Sequence, residues 1–77
     1  MTSLTEIEVD ARGHRCPVPT LRLRRALEGA AAGQVVRLLA DDPLARIDVP
    51  HFAGQAGCEV VEVEALDRGW AFRVRKG

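Results

Sequence analysis

At 77 residues the chain has room for one small domain, expected to span residues 1–77 with about 5–76 ordered. A hydrophobic content of 47% suffices for a globular core, and eleven basic residues balance eleven acidic ones to zero net charge, which argues against disorder and against direct nucleic-acid binding. No apolar run approaches the roughly 20 residues of a membrane span, and the N-terminus lacks the basic start and apolar centre of a signal peptide, so a cytoplasmic protein with no membrane contact is expected.

Residues 5–10 alternate, with Ile7, Val9 and then Ala11 on one face and Glu6 and Glu8 on the other, the pattern of a half-buried strand. A loop follows, with Gly13 to allow a tight bend. From Pro17 the period becomes helical: Leu23, Ala26, Leu27 and Ala30 share a face, joined by Thr20, and the helix is expected to stop near Gly33. Residues 34–41 read as a second, more apolar strand, central in the sheet, with Val36, Leu38 and Ala40 on one face. Asp41-Asp42-Pro43 reads as a helix cap and its neighbour, with proline at the first helical position. The second helix would run to Ala56 through Ala45, Val49, Phe52 and Ala53, broken or bent at Pro50 and closed by Gly57. Residues 58–66 predict a third strand with Val61, Val63 and Ala65 inward. Residues 67–69 then form a hairpin loop, and Trp70, Phe72 and Val74 alternate with Ala71, Arg73 and Arg75 in the last strand. The order β-α-β-α-β-β, with mostly one apolar face per strand, predicts an α/β (α+β) two-layer sandwich: a four-stranded mixed sheet with both helices on one face.

The stretch GHRCPVPT, residues 13–20, carries the chemistry. Proline fits the first turn of a helix because the N–H groups there have no intrahelical partner. Cys16 as N-cap, with Pro17 and Pro19 inside the first turn, would stand at the positive end of the helix dipole. Arg12 and Arg15 lie within four residues, with His14 between them, so the expectation is a lowered thiol pKa and a stabilised thiolate or persulfide anion. On the outer face of this helix Val18 and Leu21 point away from the core direction, framed by Arg22, Arg24 and Arg25. These residues make a candidate docking patch for an acidic partner protein.

Neither a disulfide between Cys16 and Cys58 nor a zinc site is expected, since no paired ligand spacing occurs. Cys58 reads as a packing residue. No Cys-X-X-Cys, no glycine-rich phosphate loop and no histidine–carboxylate set tied to a nucleophile appears. An activated thiol without a resolving thiol or an acid/base set suits a group carrier, with no cofactor or metal.

The chain resembles the TusA/SirA-like sulfur carriers in Asp10, Gly13, the block Arg15-Cys16-Pro17-Val18-Pro19, Asp41-Asp42-Pro43, Asp48-Val49-Pro50 with Phe52, and the closing Arg75-Lys76-Gly77. The resemblance implies a fold like the C-terminal domain of translation initiation factor three. It also implies a sulfurtransferase that accepts sulfane sulfur as a persulfide on Cys16 and relays it to an acceptor protein. The implied donor is a cysteine desulfurase or a rhodanese-like protein, and the implied destinations are tRNA thiolation, molybdenum cofactor or sulfur metabolism. Val18 stands where the best-known tRNA-thiolation members have glutamate. The alternative is a regulatory or RNA-contacting binding module without sulfur chemistry.

Overall fold

The apolar positions of the strands converge on one side of a single sheet. A computed structural model describes residues 6–77, so Thr5, expected to open the first strand, lies outside the described residues. The elements are β1 (Ile7–Asp10), α1 (Val18–Glu28), β2 (Val35–Ala40), α2 (Ala45–Gln55), β3 (Glu59–Ala65) and β4 (Trp70–Arg75). The sheet is open and mixed, in the order β1-β2-β4-β3. β1 and β2 are parallel, and β4 runs antiparallel to both β2 and β3. Val36, Leu38, Ala40, Phe72 and Val74 face Leu23 and Leu27 of α1 and Val49 and Ala53 of α2 in one buried cluster. Two helices over a four-stranded sheet make the α+β two-layer fold that the alternation predicts. No helix among the described residues is long and apolar enough to cross a membrane.

Four local expectations need correction. α1 ends at Glu28 with Gly29 as its cap, short of Gly33, which instead takes a positive φ in the turn leading to β2. α2 starts at Ala45 and continues through Pro50, whose exposed position lets the helix lose one ladder bond on its solvent side. Ala56, read as part of the core face, is the exposed C-cap. In β3 a bulge interrupts the pairing with β4: Val60 lies opposite Val74 and Glu62 opposite Arg73. Val60 therefore packs on the core, while Val61 is exposed. Val63 and Ala65 lie opposite Phe72 and Trp70 but remain exposed, because β3 is an edge strand.

The other face of the sheet is a lattice of charge. Arg37 pairs with Glu8 and Glu64, Arg73 with Glu6 and Glu62, and Arg75 with Glu59. Cross-strand register places these opposite charges side by side. Only Gly69 fits the hairpin: its φ is +83°, and a Cβ there would lie 2.2 Å from the Ala40 carbonyl oxygen.

Phe72 is 1% exposed at the centre of the core, whereas Trp70 is half-buried beneath the Arg46 guanidinium, 5.4 Å from its ring centre. Phe72→Ala should therefore cost roughly 3–5 kcal/mol, close to the whole stability of so small a domain. Trp70→Ala should cost less, losing partial burial and a cation–π contact. Urea denaturation of both variants checks the order; an equal or larger loss for Trp70→Ala would contradict this packing.

Candidate functional site

Both parallel strands feed their helices from the same end of the sheet, so α1 and α2 start side by side at the carboxyl ends of β1 and β2. In open α/β sheets this is where sites gather. Cys16 sits here, half-buried and packed against the core cluster. It is not the N-cap. Pro17 holds that position, following a cis Cys16–Pro17 bond, with Val18 at N1 and Pro19 at N2. Pro17 is exposed and Pro19 is buried, so one proline starts the helix and the other seats it on the core. The Leu21 N–H donates to the Pro17 carbonyl at 2.9 Å, closing the first turn.

The loop before α1 is held from across the chain. Asp41 Oδ1 accepts the Gly13 N–H at 2.9 Å, and Asp42 Oδ2 accepts the Cys16 N–H at 3.0 Å. Asp42 Oδ1 also accepts the Leu44 N–H at 3.0 Å. The two aspartates are thus not a simple cap and neighbour. They clamp the thiol loop to the start of α2, and the bonds from Leu44 and Cys16 hold the Asp42 carboxyl below the usual carboxylate range. Gly13, at φ +86°, makes the bend that brings its N–H to Asp41.

The electrostatics run against the expected direction. Burial, together with the neighbouring Asp48 and Asp42 carboxylates, pushes the Cys16 thiol up to about 11, above the ordinary value of ~8.5. The expected cations act elsewhere. Arg12 grips Asp10 through Nε at 3.0 Å and Nη2 at 2.8 Å, which brings the Asp10 carboxyl down to about 2. Arg15 is exposed, and its charge acts on Asp42. Standing one residue ahead of the cap also places Cys16 outside the ring of free helix N–H groups. The thiol is therefore held toward its neutral form.

Around it the outer face of α1 is as the sequence placed it: Val18 is 37% and Leu21 54% exposed, and the Arg25 side chain is exposed, with no hydrogen-bond or ion-pair partner among the described residues. Arg22 differs, donating from Nη1 to the Asp10 carbonyl at 2.7 Å, and Arg24 pairs with Glu28 at 3.5 Å. The sequence reading did not single out the exposed apolar residues at the start of α2. Leu44 and Ile47, 53% and 67% exposed, share the helix face of Asp48 by their i, i+3, i+4 spacing. That spacing, offset from the Ala45–Val49 stripe, was the signal available. Cys58 lies just past the other end of α2, an 11-residue helix about 16 Å long. Both cysteines are free, and no cluster of metal-ligating side chains occurs among the described residues.

The family model for sulfurtransferase TusA matches residues 7–76. A putative sulfur carrier protein of Archaeoglobus fulgidus is 42% identical over 62 residues, covering 80% of each chain. The sulfur carrier protein TusA of Allochromatium vinosum is 36% identical over 69 residues, covering 90% of this chain and 91% of its own. The crystal structure of a SirA-like protein from Desulfitobacterium hafniense superimposes with a TM-score of 0.75 at 33% identity, covering 90% of this chain and 93% of that one.

The Asp42 clamp has a pH signature. Its folded pKa is depressed, so its contribution is present above the unfolded value of ~3.9 and lost as pH falls through the folded value. Asp42→Ala should lower the thermal midpoint at pH 7, and the gap from wild type should close in acid. Melts from pH 7 to 2.5 check this; a gap constant over that range would show that the carboxylate does not hold the loop.

Proposed function

The chain belongs to the sulfurtransferase TusA family, and from that premise we propose that Cys16 carries sulfane sulfur as a persulfide from a donor protein to an acceptor protein. The observation that supports this most is a single half-buried thiol fixed between two helix starts, with the other cysteine at the far end of α2. A thiol with no resolving partner in reach cannot close an internal disulfide, so a sulfur placed on it stays until another molecule takes it. Archaeoglobus and Allochromatium relatives bearing sulfur-carrier names support the same reading.

The chemistry balances without an oxidant. Cys16, deprotonated, attacks the outer sulfur of a donor persulfide; a new S–S bond forms, the donor's S–S bond breaks, and the donor leaves as a thiolate that takes up the proton. Delivery is the same exchange in reverse sense: an acceptor thiolate attacks the outer sulfur and Cys16 is the leaving group. A persulfide is a stronger acid than its parent thiol, so loading converts a neutral site into one that can carry charge. A cysteine desulfurase or a rhodanese-like protein fits the donor role. The sulfur then goes to a protein acceptor serving tRNA thiolation, molybdenum cofactor or sulfur metabolism, in a reducing cytoplasm where free cysteines persist.

Contact between two sulfur atoms requires the partner to cover the surface around Cys16. Val18 and Leu21 on α1 and Leu44 and Ile47 on α2 supply exposed apolar surface there, and Arg25, with Arg22 beside it, favours an acidic rim on the partner. The charged face of the sheet is paired with itself and offers less.

Donor-treated protein should gain one reductant-sensitive sulfur by intact mass, absent in Cys16→Ser and retained in Cys58→Ser. Label lost in Cys58→Ser instead would overturn the assignment. For docking, Arg25→Glu should slow protein-to-protein transfer with an effect that shrinks as salt rises, and Leu21→Ala should slow it at every salt concentration. Unchanged kinetics in both variants, with wild-type melts, would move the interface elsewhere.

A further inference from the structure

The two edges of the sheet are unlike each other. β1 has four residues and packs Ile7 and Val9 against the core cluster. β3 has seven, pairs only with β4, and leaves Val61 and Val63 exposed. It contains neither proline nor lysine, the residues that commonly guard an edge. Its bulge lies between Val60 and Glu62, and beyond the bulge Glu62–Ala65 pairs with β4 without interruption. We propose that the outer edge of Glu62–Ala65 takes up an extended segment of a partner protein in which basic and β-branched residues alternate, adding a strand to the sheet. The inference does not depend on the chemistry of Cys16.

Main-chain N–H and C=O groups on that outer edge have no strand partner among the described residues, and an added strand would satisfy them. The side chains select which strand. On the open face the ion-pair lattice is short of cations: the carboxylates of Glu6, Glu8, Glu59, Glu62 and Glu64 share the guanidiniums of Arg37, Arg73 and Arg75. Arg37 lies 2.7 Å from Glu8 but 3.5 Å from Glu64, and Arg73 divides its charge between Glu6 and Glu62. Glu62 and Glu64, on the edge strand itself, are therefore only partly neutralised. A lysine or arginine opposite either one makes a favourable cross-strand pair. On the other face Val63 lies opposite Phe72 yet stays exposed, and a β-branched neighbour would cover it. The two requirements fall on alternate positions, the period of a strand. A second copy of β3 meets them badly. Antiparallel pairing centred on Glu62, Val63 or Glu64 sets glutamate opposite glutamate, which is destabilising.

The test is an NMR titration of the full, isotopically labelled chain with a short capped peptide in which lysine and valine alternate. Two peptides serve as controls: the same residues with lysines and valines in separate blocks, and an alternating glutamate–valine peptide. The lysine–valine peptide should shift the amides of Glu62–Ala65 and slow hydrogen exchange on the outward-facing ones several-fold. The block peptide should slow none of them, and the glutamate–valine peptide should leave the strand unchanged. Val63→Lys, which puts a cation on the edge, should abolish the response, and Glu64→Gln should weaken binding several-fold, both with wild-type melts. If Val63→Lys melts lower, Glu64→Gln decides alone. An unresponsive β3 would overturn the inference, as would equal protection by the block peptide or shifts centred on Val18 and Leu21. So would sedimentation as a dimer that Glu64→Gln strengthens, which would give the edge to a second copy.

Discussion

Two carboxylates at the end of β2 hold the functional part of this molecule together. Asp41 and Asp42 reach back across 28 and 26 residues to the N–H groups of Gly13 and Cys16. A loop of exposed residues between a strand and a helix has little burial of its own to fix it. Here its backbone donors find acceptors on the neighbouring crossover, so the two βα connections become one structure and the thiol is placed relative to both helices at once. The parallel pairing of β1 with β2 is what brings the two connections to the same end.

That anchoring has an electrostatic consequence. The acceptors that fix the loop are anions, and Asp48 adds a third carboxylate on the next helix. Helix-start position alone favours a thiolate. In this site burial and two nearby carboxylates act against it, Cys16 lies outside the cap, Arg12 is paired with Asp10, and the charge of Arg15 acts on Asp42. A low-pKa thiol is suited to fast reaction with any electrophile. A thiol held neutral is suited to reacting only when a partner supplies the remaining stabilisation, which fits the relay proposed for Cys16.

Most of the fold was legible because burial here is periodic. Val36, Leu38 and Ala40, then Phe72 and Val74, line the core at every second position, though Leu39 and Ala71 on the opposite face are buried too; Leu23, Ala26 and Leu27 repeat at helical spacing, so the two-layer arrangement and an amphipathic helix follow directly. The bulge in β3 was not legible, since Val60 and Val61 are equally apolar and only the pairing with β4 decides which turns inward. Cys16 stood out by its prolines, but its exact place was misjudged by one residue, enough to reverse the expected field. Asp41 and Asp42 were legible only in part: capping rules look a few residues ahead, where Asp42 does bond the Leu44 N–H, but the bonds to Gly13 and Cys16 lie more than two dozen residues back. Leu44 and Ile47 do not stand out in the sequence because they are interleaved with the core positions Ala45 and Val49, and only the packing of α2 leaves them exposed.

An NMR titration of the wild-type protein reads both halves of this account in one measurement. The amide proton of Cys16 reports the Asp42 carboxylate that accepts it, and the Cys16 Cβ shift reports ionisation of its own thiol. The amide should move only in acid, with a midpoint below the ordinary aspartate value of ~3.9, and the Cβ should keep its thiol shift past pH 9, well above the ~8.5 of free cysteine. An amide indifferent to acid, together with a Cβ that shifts near neutrality, would contradict the claim that the aspartates both place the sulfur and keep it protonated.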